Sequence, residues 1–228
     1  ILSRMLRLNK ISIHKKVYKL TTSMTHKLKY FAFILLLLFS MAIYAQTKVE
    51  TLAELVPYLG QDNVNVVLKE GTYTITVNNI KNGTFKSHTT IDDHEALVLL
   101  LFSGNNSVYD FTGVTVNVET EVLTAFKEYN EFYELQVVGN NNVIKNLTLV
   151  DVGSVHDHPT RRACNVVMDG AGNRIEGLHL STKESYPYGY GETFGKGGNN
   201  VINLFKHSAF LIRGYKNQAK NCTIIHRS

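Results

Sequence analysis

Residues 139–150, GNNNVIKNLTLV, recur in outline twice further along the chain, as GAGNRIEGLHLS (170–181) and GYKNQAKNCTII (214–225). Each copy has a glycine, two intervening residues, an asparagine and then a short alternating run. Self-similarity of this kind indicates a stacked repeat, in which no single unit can bury its own apolar face. The intervals between the glycines are uneven, so the copies are separated by segments of different length.

Strands are predicted on both sides of each repeated turn. Apolar runs precede the glycines at 134–138, 165–168 and 209–212, and a looser copy with two extra residues covers 96–118. Because side chains alternate along a strand, one column of the alignment should face inward. That column contains Leu147, Leu149, Leu178, Leu180, Cys222 and Ile224. The asparagines of the turn suit left-handed backbone and can hydrogen-bond along a stack.

The two cysteines fall in different columns of this alignment. Cys222 shares its column with leucines, whereas Cys164 lies just before another strand. A disulfide needs close and well-aligned Cβ atoms. We therefore predict two free thiols, with Cys222 packed as a small apolar side chain.

A short helix is predicted where the repeats begin. In VETLAELVPYL (49–59), Thr51 and Glu54 match a capping box. One apolar face is formed at helical spacing by Leu52, Leu55, Val56 and Leu59. VNVVLKEGTYTITV then alternates with period two around Gly71, which predicts two strands. No second helix is predicted.

The first 45 residues differ in composition from the rest. Residues 24–45 combine Lys27 and Lys29 with a short apolar core and a small residue, Ala45, as in a secretory signal peptide; an uncleaved anchor is the alternative. Residues 1–23 are expected to be a non-native leader. Residues 1–45 hold eight of the 24 Lys and Arg residues and none of the 19 Asp and Glu residues. Residues 46–228 therefore carry a net charge of −3, which argues against nucleic-acid binding.

The stretch VVLKEGTYTI (66–75), followed by the GNNNVIKNLTLV units, resembles the N-terminal part of a right-handed parallel β-helix protein of the pectin-lyase-like superfamily. The resemblance covers residues 47–228. It implies an all-β solenoid with a short N-terminal capping helix. The signal peptide resembles those of exported Bacteroidota proteins, which implies a secreted, periplasmic or cell-surface protein. Because the chain stops directly after a repeat strand, residues 46–228 are expected to be C-terminally truncated, with further coils missing.

The uneven intervals place three insertions on one side of the stack, at 117–133, 152–163 and 183–207. Insertions gathered on one face commonly build a binding face. Tyr186, Tyr188 and Tyr190 recur two apart and could bury the apolar face of a sugar ring. Equally, they could pack on their own coil.

Charged residues adjoin these insertions. The alignment puts Asp151, Lys183, His226 and Arg227 together at the rim. The resemblance implies lyase chemistry, in which a uronate carboxylate is neutralised and a basic side chain removes the neighbouring proton. Lys183, His226 and Arg227 are the catalytic candidates, and Asp151 is a binding candidate. A solvated salt-bridge ladder is the alternative for each.

Arg161 and Arg162 could bind an acidic sugar or pair with nearby glutamates. His156 and His158 lie two apart without a third ligand in the spacing, so no zinc site is predicted. The resemblance leaves Ca²⁺ between Asp151 and Asp157 as an alternative, although no calcium-loop pattern is present. No other cofactor is predicted.

These observations together predict an exported, carbohydrate-active, monomeric protein that cleaves an acidic polysaccharide by β-elimination. Its expected partner is a polysaccharide or glycan, with no nucleic acid and no membrane after signal cleavage. A non-catalytic glycan-binding or surface protein is one alternative. A glycoside hydrolase with carboxylates in the missing coils is another.

Overall fold

The computed structural model describes residues 45–91, 94–122, 128–129, 131–154, 162–186 and 207–225. The chain separates into two units, residues 1–45 and residues 46–228. The predicted leader and, apart from Ala45, the predicted signal peptide lie outside the described residues.

The second unit begins with a strand and a short helix. β1 (Gln46–Val49) is followed by α1 (Leu52–Leu55), which continues as a 3₁₀ turn over Val56–Tyr58. The Thr51 side chain accepts the Glu54 N–H at 3.2 Å, which satisfies one free donor at the helix start. The helix predicted over 52–59 is confirmed in place. It tightens into a 3₁₀ turn because Pro57 has no N–H to donate to an α-helical hydrogen bond.

A second helix lies after the first pair of strands, where none was predicted. β2 (Asn65–Leu68) and β3 (Gly71–Ile75) confirm the expected strands, and α2 (Val77–Lys81) follows. Thr76 and Asn79 form a reciprocal capping box. The helix was not predicted because its two asparagines have low helix propensity. It forms because the capping box and two buried apolar side chains stabilise it.

Fourteen further strands complete the described part of the chain. They are β4 (Ser87–Ile91), β5 (His94–Phe102), β6 (Val108–Asp110), β7 (Val114–Glu119), β8 (Glu131–Val137), β9 (Val143–Lys145), β10 (Thr148–Ser154), β11 (Arg162–Met168), β12 (Arg174–Glu176), β13 (His179–Ser181), β14 (Ser185–Tyr186), β15 (His207–Ile212), β16 (Gln218–Lys220) and β17 (Thr223–Ile225).

The strands form three sheets that we call A, B and C. Sheet A has the order β1-β2-β6-β9-β12-β16, sheet B the order β3-β7-β10-β13-β17, and sheet C the order β4-β5-β8-β11-β15. All neighbours on these paths run parallel except β4 and β5. From β5 onward each repeat supplies one strand to C, then A, then B. This arrangement is parallel, rich in β-structure and compatible with a β-helix.

The register between repeats follows the alignment of the sequence. Val143 pairs with Arg174, and Thr148 pairs with His179, so the matched copies stack without a shift. Val108 pairs with Val143 but Thr115 pairs with Thr148. The two extra residues of the looser copy therefore lie in the turn between β6 and β7.

The apolar core consists of columns that run from repeat to repeat. One column joins Phe102, Val137 and Met168, all at 0 % exposure. A second joins Val116, Leu149 and Leu180, also at 0 %. Each repeat thus buries its apolar side chains against its neighbours, which is the main favourable contribution to folding.

The Gly-x-x-Asn turns explain why both residue types recur. A Cβ added to Gly139 would lie 1.8 Å from the carbonyl oxygen of Gly104, and one on Gly170 would lie 1.8 Å from that of Gly139. No side chain fits in that space. The asparagines form the expected ladder: Asn142 and Asn173 donate their Nδ2 to Gly104 and Gly139, each at 2.7 Å.

Both cysteines are free thiols, as predicted. Cys164 is buried, and Cys222 packs against the main core. Within the described ranges, no helix has the length and apolar character needed to cross a membrane.

Candidate functional site

All the long connections between strands in the repeats run from sheet B to sheet C. From β8 onward the connections from C to A have five residues, and those from A to B have two. The connections from B to C span 120–130, 155–161 and 182–206. Because the strands stack in register, these three segments leave the same edge of the fold. We call this edge, defined by those three ranges, the insertion edge.

Lys183 is the one predicted catalytic residue whose side chain the structure describes. It lies in the turn after β13 with 48 % of its side chain exposed, and its Nζ is 3.4 Å from Glu184 Oε1. The Ser181 hydroxyl donates to the other Glu184 oxygen at 2.5 Å. Desolvation opposes the charge of Glu184, but the hydrogen bonds from Ser181 and Lys183 lower its pKa. The lysine is accessible and held by one carboxylate.

Asp151 lies beside this turn but faces the interior, not the rim expected from the sequence. It is the fourth residue of β10, so it shares the inward side of Leu149, and it is 2 % exposed. Its neighbour in the alignment, Thr182, is 0 % exposed. Asp151 and Lys183 therefore occupy different environments, one buried and one solvated.

The partners of Asp151 are a second carboxyl and an amide. Glu134 of β8 acts electrostatically on Asp151 and is itself 2 % exposed. Asn165 of β11 donates its Nδ2 to both Asp151 oxygens at 3.1 Å. These three side chains join the insides of sheets B and C just behind the insertion edge.

The charge state of this cluster follows from its burial. Burial raises the pKa of Asp151 well above its usual range, the negative charge of Glu134 and the hydrogen bond to it raise the pKa further, and Asn165 opposes the shift. Burial and the neighbouring carboxyl thus both favour the protonated form of Asp151.

Polar residues also cross sheet C on the face opposite to the core residues Leu135 and Val137. Arg213 forms a two-pronged contact with Asp169, with its Nη2 at 2.8 Å from Oδ2. Gln136 donates to the same Oδ2 at 2.7 Å and accepts from the Thr89 hydroxyl at 2.9 Å. The hydrogen bond to Asp169 raises the pKa of Arg213. The guanidinium of Arg213 is thus paired with the carboxylate of Asp169.

Tyr133 lies on the same face of sheet C and donates its hydroxyl to Glu131. Both residues are buried, at 4 % and 3 % exposure. Burial raises the pKa of Tyr133, and the hydrogen bond to Glu131 adds to the shift. Tyr133 is thus a neutral hydrogen-bond donor and not a base near neutral pH.

The structure describes the other predicted site residues in part or not at all. Arg162 begins β11 and Tyr186 ends β14, and for both the structure describes the backbone position alone. β14 pairs with the end of β10, so Tyr186 stands opposite Ser154 at the insertion edge. Five predicted residues lie outside the described residues: Arg161, Tyr188, Tyr190, His226 and Arg227.

The calcium alternative between Asp151 and Asp157 stays a prediction, because Asp157 lies outside the described residues. Both Asp151 oxygens accept hydrogen bonds from the Asn165 Nδ2 at 3.1 Å. Among the residues that the structure describes, no three His, Cys, Asp or Glu side chains are grouped so that they could hold a metal ion.

Sequence reasoning missed Glu134 and Asn165, although the alignment contained a signal. Each lies between two paired residues of sheet C, at the position that Leu99 occupies in the earlier repeat. Two successive polar residues in a column that starts with leucine depart from the apolar pattern. That departure was the available indication of a buried polar cluster.

Comparisons with known protein families and with curated proteins identify no family for this chain. No protein-family model matches the chain, and no curated protein matches its sequence.

Proposed function

We propose that the chain belongs to an exported right-handed parallel β-helix protein of the pectin-lyase-like type, which cleaves an acidic polysaccharide by β-elimination. The observation that supports this proposal most is the insertion edge. The strands of successive repeats pair in parallel and in register in all three sheets, and every long connection of the repeats leaves from one edge. A polymer with regularly spaced sugars is a natural ligand for a surface that repeats along a stack.

The chemistry rests on basic residues at this edge. Removing a proton next to a uronate carboxylate requires neutralisation of that carboxylate and a nearby base. Lys183 is exposed in the turn after β13. His226 and Arg227 follow Ile225 in the chain, and Ile225 pairs with Ser181, two residues before Lys183. We assign the base to Lys183 or His226, and the carboxylate contact to Arg227, whose guanidinium suits two-pronged binding.

A non-catalytic glycan-binding protein is the second candidate. Lys183 is paired with Glu184, and Asp151 is buried away from solvent. Among the residues that the structure describes, Lys183 is therefore the one accessible candidate for catalysis, without a second group beside it to bind the uronate carboxylate. Glu134 and Asp151 do not support glycoside hydrolysis, because both are 2 % exposed and a sugar cannot lie between them.

The test is incubation of the full chain with pectate, alginate and glycosaminoglycans, followed by the ultraviolet absorbance of the unsaturated product. Lys183→Ala, His226→Ala and Arg227→Ala should each lower the rate at least tenfold, the lower end of what a positioned acid or base contributes. Lys145→Ala is the matched control, since Lys145 lies on β9 of sheet A, away from the insertion edge. Glycan binding without product would favour the second candidate. Neither binding nor product on any uronate polymer would contradict both.

A further inference from the structure

Asn82 and Gly83 form the only Asn-Gly sequence in the chain, and they lie at the end of α2. Asn82 is the C-cap residue of this helix, with a φ of −76° and a ψ of −4°, and Gly83 follows with a φ of +83°. Both residues are exposed. The backbone nitrogen that follows an asparagine can attack the carbonyl carbon of its side chain and close a succinimide ring. This pair therefore contains both reacting groups.

The surroundings of Asn82 and Gly83 leave these groups accessible. A Cβ added to Gly83 would have no atom within 4 Å, so the space beside the attacking nitrogen is open. The side chain of Asn82 is exposed and is not hydrogen-bonded to any residue that the structure describes. Glycine also rotates through backbone conformations that other residues avoid. The amide and its nucleophile can therefore approach each other once the backbone turns.

Two exposed asparagines of the repeat turns, Asn105 and Asn146, lie in different surroundings. Asn105 Nδ2 donates to Asp62 at 2.9 Å, and Asn146 Nδ2 donates to the Thr112 hydroxyl at 2.8 Å. Each of the two is also followed by a residue with a side chain. Their amides are bound and their following nitrogens are shielded, whereas neither holds for Asn82.

The end of α2 holds the Gly83 nitrogen in place. Its N–H donates to the Ile80 carbonyl at 2.9 Å, and the Thr84 N–H donates to the Asn79 carbonyl at 3.1 Å. These two bonds form the Schellman arrangement, in which glycine suits the left-handed position. Ring closure needs the Gly83 nitrogen and the Asn82 Cβ on the same side of the Cα–C bond, and a ψ of −4° holds them apart. The reaction therefore requires a rotation at Asn82 that breaks both hydrogen bonds.

We propose that Asn82 is a self-modification site, and that opening of the C-terminal end of α2 limits its reaction. The Gly83 nitrogen bonds to the Asn82 Cγ, the bond from Cγ to the side-chain nitrogen breaks, and that nitrogen leaves as ammonia with the proton from Gly83. Water then cleaves either bond between the imide nitrogen and a carbonyl carbon. The products are aspartate and isoaspartate, in which the main chain runs through the former side chain. The site depends on residues 76–84 alone and stands whether or not the protein cleaves a polysaccharide.

Either product should weaken the end of the helix. A carboxylate at residue 82 lies beside backbone carbonyls at the C-terminal end of α2, where negative charge is unfavourable. Isoaspartate also lengthens the main chain by a methylene group, so the N–H groups of Gly83 and Thr84 lose their register with the helix. α2 buries Val77 and Ile80 in the core. The modified chain should therefore be less stable than the unmodified one.

The test is incubation of the full chain at mildly alkaline pH, followed by trypsin digestion and mass spectrometry. The peptide 82–86 should show the mass shift from an amide to an acid and should separate into two isomers. Asn146 is the internal control, because it is exposed but bound to Thr112. Its peptide should convert several-fold more slowly. Equal conversion at the two asparagines, or none at Asn82, would overturn the proposal.

Two comparisons test the dependence on the end of α2. Wild type in urea should convert Asn82 several-fold faster than the folded chain, because the Gly83 N–H is no longer held. Thr76→Val removes the hydroxyl of the capping box and should accelerate the reaction in the same direction. Thr74→Val is the matched control, since Thr74 lies on β3 outside the helix, and it should keep the wild-type rate. Equal rates in folded and urea-unfolded wild type would overturn the proposal even if a variant fails to fold.

Discussion

Asn173 holds the turn of the preceding repeat with two hydrogen bonds. Its Oδ1 accepts the backbone N–H of Asn142 at 2.9 Å, and its Nδ2 donates to the Gly139 carbonyl at 2.7 Å. Asn173 is 1 % exposed, so water cannot replace it. One side chain thus satisfies a buried donor and a buried acceptor of another repeat, which is why this position recurs as asparagine.

Replacement of Asn173 by alanine should therefore destabilise the fold by about 2–4 kcal/mol, since it leaves two buried backbone groups unsatisfied. Asn140→Ala is the matched control. Asn140 is also a ladder residue, hydrogen-bonded to Asn105, but it is exposed. Its loss should cost less than about 1 kcal/mol because water takes over the contact. Urea unfolding compares the two, and equal losses would show that the ladder is not stabilised by burial.

Gly139→Ala should disrupt stacking between repeats, because the new Cβ would lie 1.8 Å from the Gly104 carbonyl oxygen. Gly83→Ala is the control. Gly83 has a φ of +83°, and a Cβ added there would have no atom within 4 Å. Its replacement by alanine should therefore cost only the backbone strain of a positive φ, about 1–2 kcal/mol. Circular dichroism and urea unfolding should show a larger loss for Gly139→Ala. A loss no greater than that of Gly83→Ala would contradict the close approach of the repeats.

The last described repeat exposes side chains of the core columns. Ile212 is 47 % exposed and Ile224 43 %, whereas Met168 and Leu180, which precede them in the same columns, are at 0 %. Exposed apolar side chains of this kind favour association, in contrast to the monomer expected from the sequence. The full chain should therefore self-associate with rising concentration in sedimentation velocity.

The double variant Ile212→Thr, Ile224→Thr should reduce this association while it retains β-propensity. Val143→Thr, a change of similar chemistry on the partly buried strand β9, should not reduce it. A wild type that stays monomeric at all concentrations would mean that the exposed columns are covered in solution.

The two thiols should differ in reactivity. Burial raises the pKa of Cys164 to about 12, and the thiolate is the reactive form. Cys222 is only partly buried. Iodoacetamide at mildly alkaline pH should label Cys222 first in the folded chain and both residues in urea. Mass spectrometry of the peptides measures this order, and faster labelling of Cys164 would contradict its burial.

The repeats were predictable because stacking imposes one residue pattern on many places. The alignment placed Gly139, Asn142 and Leu149 in their structural columns without any coordinates. The helix at Val77–Lys81 was not predictable from periodicity, since five residues are too few to show it.

The environment of Asp151 was predictable only in part. The alternation of side chains along β10 indicated that Asp151 faces inward. Its raised pKa, however, depends on Glu134 and Asn165, which are distant in sequence. Long-range contacts of this kind are not encoded in a local pattern. The same limit applies to Lys183, whose exposure and pairing with Glu184 follow from the turn that carries it.

The central functional proposal, β-elimination at the insertion edge, is tested most directly by mass spectrometry of the products from a uronate polymer. The account predicts oligosaccharides whose new non-reducing ends are unsaturated and lighter by one water than hydrolysis products, and their formation should stop in the Lys183→Ala, His226→Ala, Arg227→Ala triple variant. Products that carry the full mass of added water, or the same unsaturated products from the triple variant, would contradict it.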